Sequence, residues 1–134
     1  MNTRTGRVVF LAIVAGACSA LDGPARPLCS QTSTIVSATS EARPVFTWTP
    51  ECRVDQILVT NVLAPSVGPV IGQVQWGIAT LPVSNGIVAP VVYGQLAVGM
   101  ETTHAPTSLN HLQQYEVLLG VHGILVGHAF FYIP

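Results

Sequence analysis

The chain has 134 residues, of which 49% are hydrophobic and only 8% charged, with five basic side chains against six acidic ones and no lysine. Nucleic-acid binding needs clustered Lys and Arg to displace counterions from phosphates. Arg26, Arg43 and Arg53 are the only basic side chains after residue 7, so that class is excluded, and the length allows one small domain.

The first element is a short apolar segment. Residues 1–7 are polar and carry Arg4 and Arg7, residues 8–17 are uninterruptedly apolar, and Asp22 ends the uncharged region. A transmembrane helix needs about 18–20 apolar residues to cross the hydrocarbon core. This run is too short, and a positive start, a brief apolar core and the small residues Ala15, Gly16 and Ala17 predict a secretory signal over 1–17.

Ala15-Gly16-Ala17-Cys18 resembles the lipobox of bacterial lipoproteins, with Ala15 where Leu is usual. The resemblance implies that Cys18 is acylated and becomes the mature N-terminus. Ala15-x-Ala17 is also an ordinary signal-peptidase site, which would release a secreted protein instead. One acyl chain binds a membrane only marginally, whereas two or more anchor stably. Cysteine parity agrees with acylation. The chain has three Cys; with Cys18 modified, Cys29 and Cys52 remain as a pair for an oxidising compartment, the alternative being two buried thiols. Residues 18–33 contain Pro, Gly, Ser and Thr with little periodicity and read as a flexible tether.

From residue 34 to residue 134 the pattern is β throughout. Apolar residues recur at spacing two, and Pro or Gly interrupts the chain about every ten residues, which predicts an all-β, two-layer antiparallel β-sandwich. The expected strands are 34–38, 44–49, 54–61, 73–79, 87–93, 114–121 and 129–133. Val74, Trp76 and Ile78 are expected on one face, opposite Gln73, Gln75 and Gly77. Tyr115, Val117, Leu119 and Val121 are expected on another buried face, with Glu116 and Gly120 outward. Residues 96–106 take no clear place. If the first two strands pair around a turn at Ser40 and Glu41, Cys29 and Cys52 are equidistant from that turn and meet across the hairpin's mouth.

Two motifs carry a family resemblance. PVFTWTP places Trp48 in an early strand, and SLNHLQQYEVLLGV places Leu109 six residues before Tyr115. Together they resemble the fibronectin type III and immunoglobulin-like sandwich, with a core Trp on the second strand and a Leu and Tyr at the corner before the penultimate one. The order of WTPEC, VQW, PVVYG and a last aromatic strand is similar to small bacterial lipoproteins bearing one such domain. The resemblance implies structural core roles for Trp48, Trp76, Leu109 and Tyr115.

Chemistry-bearing residues are sparse. There is no G-x-S-x-G elbow for a serine nucleophile. Glu51, Asp55, Glu101 and Glu116 are the acids available for a glycosidase pair, and they read as solvated surface. His104, His111, His122 and His128 match no compact zinc spacing and read as solubilising loop residues. Gly68, Gly72 and Gly94 read as turn glycines and not as a phosphate loop. No catalytic residue, metal or cofactor is assigned. The reading is therefore a lipid-anchored, exported module of the cell envelope that binds a protein or glycan at its sandwich loops. The alternatives are a polymer subunit joined through edge strands, or a small hydrolase or metalloprotein.

Overall fold

The computed structural model describes residues 26–62, 72–82 and 84–134. Cys18, the expected signal and Gly68 lie outside them. The described residues form strands and no helix: β1 (Ile35–Ala38), β2 (Val45–Thr49), β3 (Arg53–Val54), β4 (Gln56–Asn61), β5 (Val74–Thr80), β6 (Ile87–Val88), β7 (Val91–Val92), β8 (Met100–His104), β9 (Gln113–Val121) and β10 (Ile124–Ile133). Five strands form one antiparallel sheet in the order β10-β9-β4-β5-β8, three form another in the order β1-β2-β7, and β3 pairs with β6. This all-β arrangement is consistent with a sandwich.

Alternation builds the two inner faces. On β2, Phe46 and Trp48 are buried while Thr47 and Thr49 are exposed. On β9, Tyr115, Val117, Leu119 and Val121 are buried and the residues between them are not, as period-two patterning requires. The sheets meet through aromatic rings. Phe46 of β2 lies 5.5 Å from Phe131 and 6.4 Å from Trp76, and Tyr115 stacks on Phe131 at 5.6 Å. Each such ring removes about 150–250 Å² from water, at about 25 cal/mol per Å². That outweighs a surface ion pair such as Arg26–Glu51, 3.5 Å apart and exposed, which is worth about 0–1 kcal/mol.

Bulges set which side chains join this core. On β10 the register passes from Leu125 opposite Gly120 to Gly127 opposite Leu119, leaving Val126 as an extra residue. One inserted residue reverses the parity of everything beyond it. Ala129, Phe131 and Ile133 therefore turn inward, and His128, Phe130 and Tyr132 outward. A second bulge leaves Gln75 extra on β5: Trp76 faces Val59, but Val74 faces Thr60. Val74 thus leaves the face of Trp76 and Ile78, contrary to strict alternation.

Other expectations need redrawing. Residues 54–61 are not one strand, because the chain bends at Asp55 between β3 and β4, and 87–93 is split at Ala89 and Pro90, where proline donates no ladder bond. β10 is twice the expected length and is joined to β9 by a tight turn. His122 and Gly123 there have φ of 51° and 76°, the left-handed pair that a two-residue hairpin favours. Residues 96–106 contain β8, an edge strand of β5 whose last four residues are exposed. With no described strand on its other side, its sequence METTH carries no alternation to read.

The cysteines do form a disulfide, with Cα atoms 5.0 Å apart. Hairpin symmetry is not the reason. Ile35 pairs with Thr49 and Ala38 with Phe46, which centres the hairpin on Ala42 instead of Ser40 and Glu41 and carries Thr32 toward Cys52. Instead, residues 27–29 run parallel to the start of β3. The Arg53 amide donates to the Pro27 carbonyl at 2.9 Å, and the Cys29 amide donates to the Arg53 carbonyl at 3.0 Å. Residues 26–33, read from sequence as tether, belong to the folded unit. Replacing both cysteines by Ala should lower unfolding free energy by about 3 kcal/mol, the chain-entropy value for a loop of this length. Denaturant titration measures the loss, and the circular dichroism of the folded state should be unchanged.

Candidate functional site

The four residues expected in the core each have a definite place among the described residues. Trp48 is buried and its indole N–H donates to the Cys52 carbonyl at 2.9 Å, so the ring ties the corner between β2 and β3 next to the disulfide. Trp76 is buried against Phe46 and Tyr93. Tyr115 is buried, and its hydroxyl accepts a 2.7 Å bond from the Asn110 amide. Leu109, next to that amide in the chain, packs on the core's margin. Together they brace the corner leading into β9.

The acids are occupied separately. Asp55 is not a bare surface group: its carboxylate accepts the His122 amide at 2.6 Å and so closes the β9–β10 turn from the neighbouring strand. Glu116 points outward from β9 and accepts from His128 Nδ1 at 2.7 Å. Glu51 meets Arg26. His128 is thus a strand residue paired with a carboxylate and not a loop histidine, whereas His111 meets the Pro134 carbonyl at 2.8 Å. Among the described residues no three His, Cys, Asp or Glu side chains converge as metal ligands would.

Gln75, Tyr93 and Thr107 form a part-buried polar cluster. The bulge frees the Gln75 carbonyl from the ladder, and it accepts the Thr107 amide at 3.0 Å. The Tyr93 hydroxyl lies 2.8 Å from the Thr107 carbonyl and 3.1 Å from that of Gln75. A phenol has one proton, so it serves the nearer oxygen. Burial pushes the Tyr93 hydroxyl above the ordinary tyrosine value, partly opposed by its bonding to Thr107.

Exposed apolar groups gather on the outer face of the five-stranded sheet. The register aligns His128, Leu118, Leu58, Gly77 and His104 in one row across it. Next to His128, Phe130 is 53% and Tyr132 44% exposed, and His128 meets the Phe130 ring edge-on at 5.7 Å. Toward the β9–β10 turn the face dips into a groove of about 250 Å³ lined by Gln56, Leu58, Leu118, Gly120, Ile124 and Leu125. Gly120 forms its floor, where a Cβ would find nothing closer than 3.5 Å. Sequence reasoning missed this face. The signal for it is HAFFYI, a strand apolar on both sides.

Comparison with protein families, with curated proteins and with solved structures finds no match for this chain.

The fold favours neutral Tyr93, so that contribution is complete below about pH 10 and is lost as pH rises through the raised value of the folded state. Ultraviolet titration should contain a late phenolate component that Tyr93→Phe removes. Unfolding midpoints should fall beyond pH 10 more steeply in the wild type than in Tyr93→Phe.

Proposed function

We propose that the protein is an exported, non-catalytic binding module of the cell envelope. Residues 1–17 are removed as a signal, Cys18 carries the lipid anchor, and a fibronectin type III or immunoglobulin-like sandwich presents the outer face of its five-stranded sheet to a protein or glycan. The observation that carries the reading is that exposed face, with Phe130 and Tyr132 beside the His128–Glu116 pair. Rings with a hydrogen-bonding pair at their margin suit recognition, since aromatic side chains offer large contact area at low entropic cost. Their position supports placing the partner on the sheet face instead of the loops.

The family reading draws support from strand order. β1, β2 and β7 opposite β10, β9 and β4 follow the A-B-E and G-F-C groups of an immunoglobulin-like sandwich, and the Tyr115–Asn110 bond has the form of a tyrosine corner. β8 departs from that plan as an added edge strand. It also favours a second reading, a subunit assembled edge to edge, because no described strand pairs with its outer side. Concentration-dependent light scattering would identify such assembly.

Metabolic labelling with palmitate tests the anchor. The wild-type chain should incorporate label and partition into detergent, and Cys18→Ser should abolish both. An unlabelled wild type whose mature chain begins beyond Cys18 would show ordinary secretion instead.

A further inference from the structure

The strongest unassigned feature is the pole at which the described chain begins. Arg53 links it to the rest: its amide holds Pro27, its carbonyl holds Cys29, and Asp55, two residues on, holds the β9–β10 turn through the His122 amide. The Gln31 side chain donates to the Leu125 carbonyl at 2.8 Å on the same hairpin. The chain therefore joins the domain beside the hairpin tip. At that tip Ile124 is 56% and Leu125 48% exposed, and Leu28, on the joining segment, is 38% exposed.

Two exposed aliphatic side chains at one tip need a partner, and the length of chain before the domain selects it. Eight residue-to-residue steps lead from Cys18 to Arg26. At no more than about 3.6 Å each, they span at most roughly 29 Å. The leash is attached at this pole, so an anchor at Cys18 favours this pole over the far one as the part next to the headgroups. β9 separates the two poles: at about 3.3 Å per residue, Leu112 lies roughly 30 Å from the turn.

We propose that the tip formed by Ile124 and Leu125 rests in the lipid surface to which the chain is anchored, an inference that depends on acylation at Cys18. Two aliphatic side chains hold a free domain on a bilayer only weakly. A short leash raises their effective concentration at the surface, and the contact then orients the domain. Charge contributes little. Arg26 is paired with Glu51, Arg53 bonds the Arg26 and Asn85 carbonyls, and Asp55 faces His122. The contact is therefore with the apolar layer and not with anionic headgroups. With this pole down, the exposed Phe130 and Tyr132, toward the other end of β10, stand away from the membrane.

The test uses the full acylated chain in phosphatidylcholine vesicles, with and without bromine on the upper acyl carbons, which quenches nearby indoles. Trp48 and Trp76 are buried in the core and give a constant background. The added fluorescence of Ile124→Trp should fall about twofold or more in brominated vesicles, and that of Leu112→Trp, a still more exposed site at the far pole, should not change. Leu125→Trp serves as a second reporter should the first variant fold poorly. Unquenched tip reporters, or equal quenching at both poles, would overturn the proposal while leaving the anchor standing. Intact mass of the same sample separates the two: a chain without acyl groups overturns the anchor and this inference with it.

Discussion

The extra residue at Val126 is the constraint on which the rest of the structure depends. Beyond it every side chain of β10 changes side, so Phe131 meets Phe46 across the sheets and Tyr115 on the adjacent strand, while Phe130 faces outward. Without that insertion the same sequence would bury His128, Phe130 and Tyr132 and expose Phe131 and Ile133. A buried histidine needs a buried partner, and Glu116, which supplies one, sits on the outer face of β9. Core and exposed aromatic surface are thus two results of one local choice of register. The edge that the bulge occupies is covered as well. β1 crosses there so closely that a Cβ on Gly127 would lie 2.7 Å from a Val36 methyl, so that among the described residues β8 is the uncovered edge of that sheet.

A second set of bonds fixes orientation. The disulfide, the parallel contacts of residues 27–29 with Arg53 and the Asp55–His122 bond all meet at one pole. They tie the start of the described chain to a hairpin formed near its end. A small domain has little core to spare, and a crosslink here restrains the part that a membrane tether would pull on. In this reading the pole with exposed aliphatic residues faces the lipid and the aromatic face remains available for recognition.

The legible parts were those with one wet and one dry face. β9 declared itself because Glu116 and Gly120 interrupt Tyr115, Val117, Leu119 and Val121, and β2 because Thr47 separates Phe46 from Trp48. The cysteine pair was legible from parity, although the argument from hairpin symmetry was not the cause. Register depends on loop conformation around Ala42, which local pattern does not encode. β8 was illegible because an exposed edge strand has no buried face to mark its period. The outer surface was illegible for the opposite reason. Where both faces of β10 are apolar, period two is present but its phase is not, and one bulge residue decides it.

Hydroxyl-radical footprinting of the native protein, read residue by residue along β10, tests this phase most directly. The account predicts oxidation of Phe130 and Tyr132 with Phe131 and Tyr115 protected until the protein unfolds. Strong modification of Phe131 together with protection of Phe130 would contradict it, and would move the aromatic surface to the other side of the sheet.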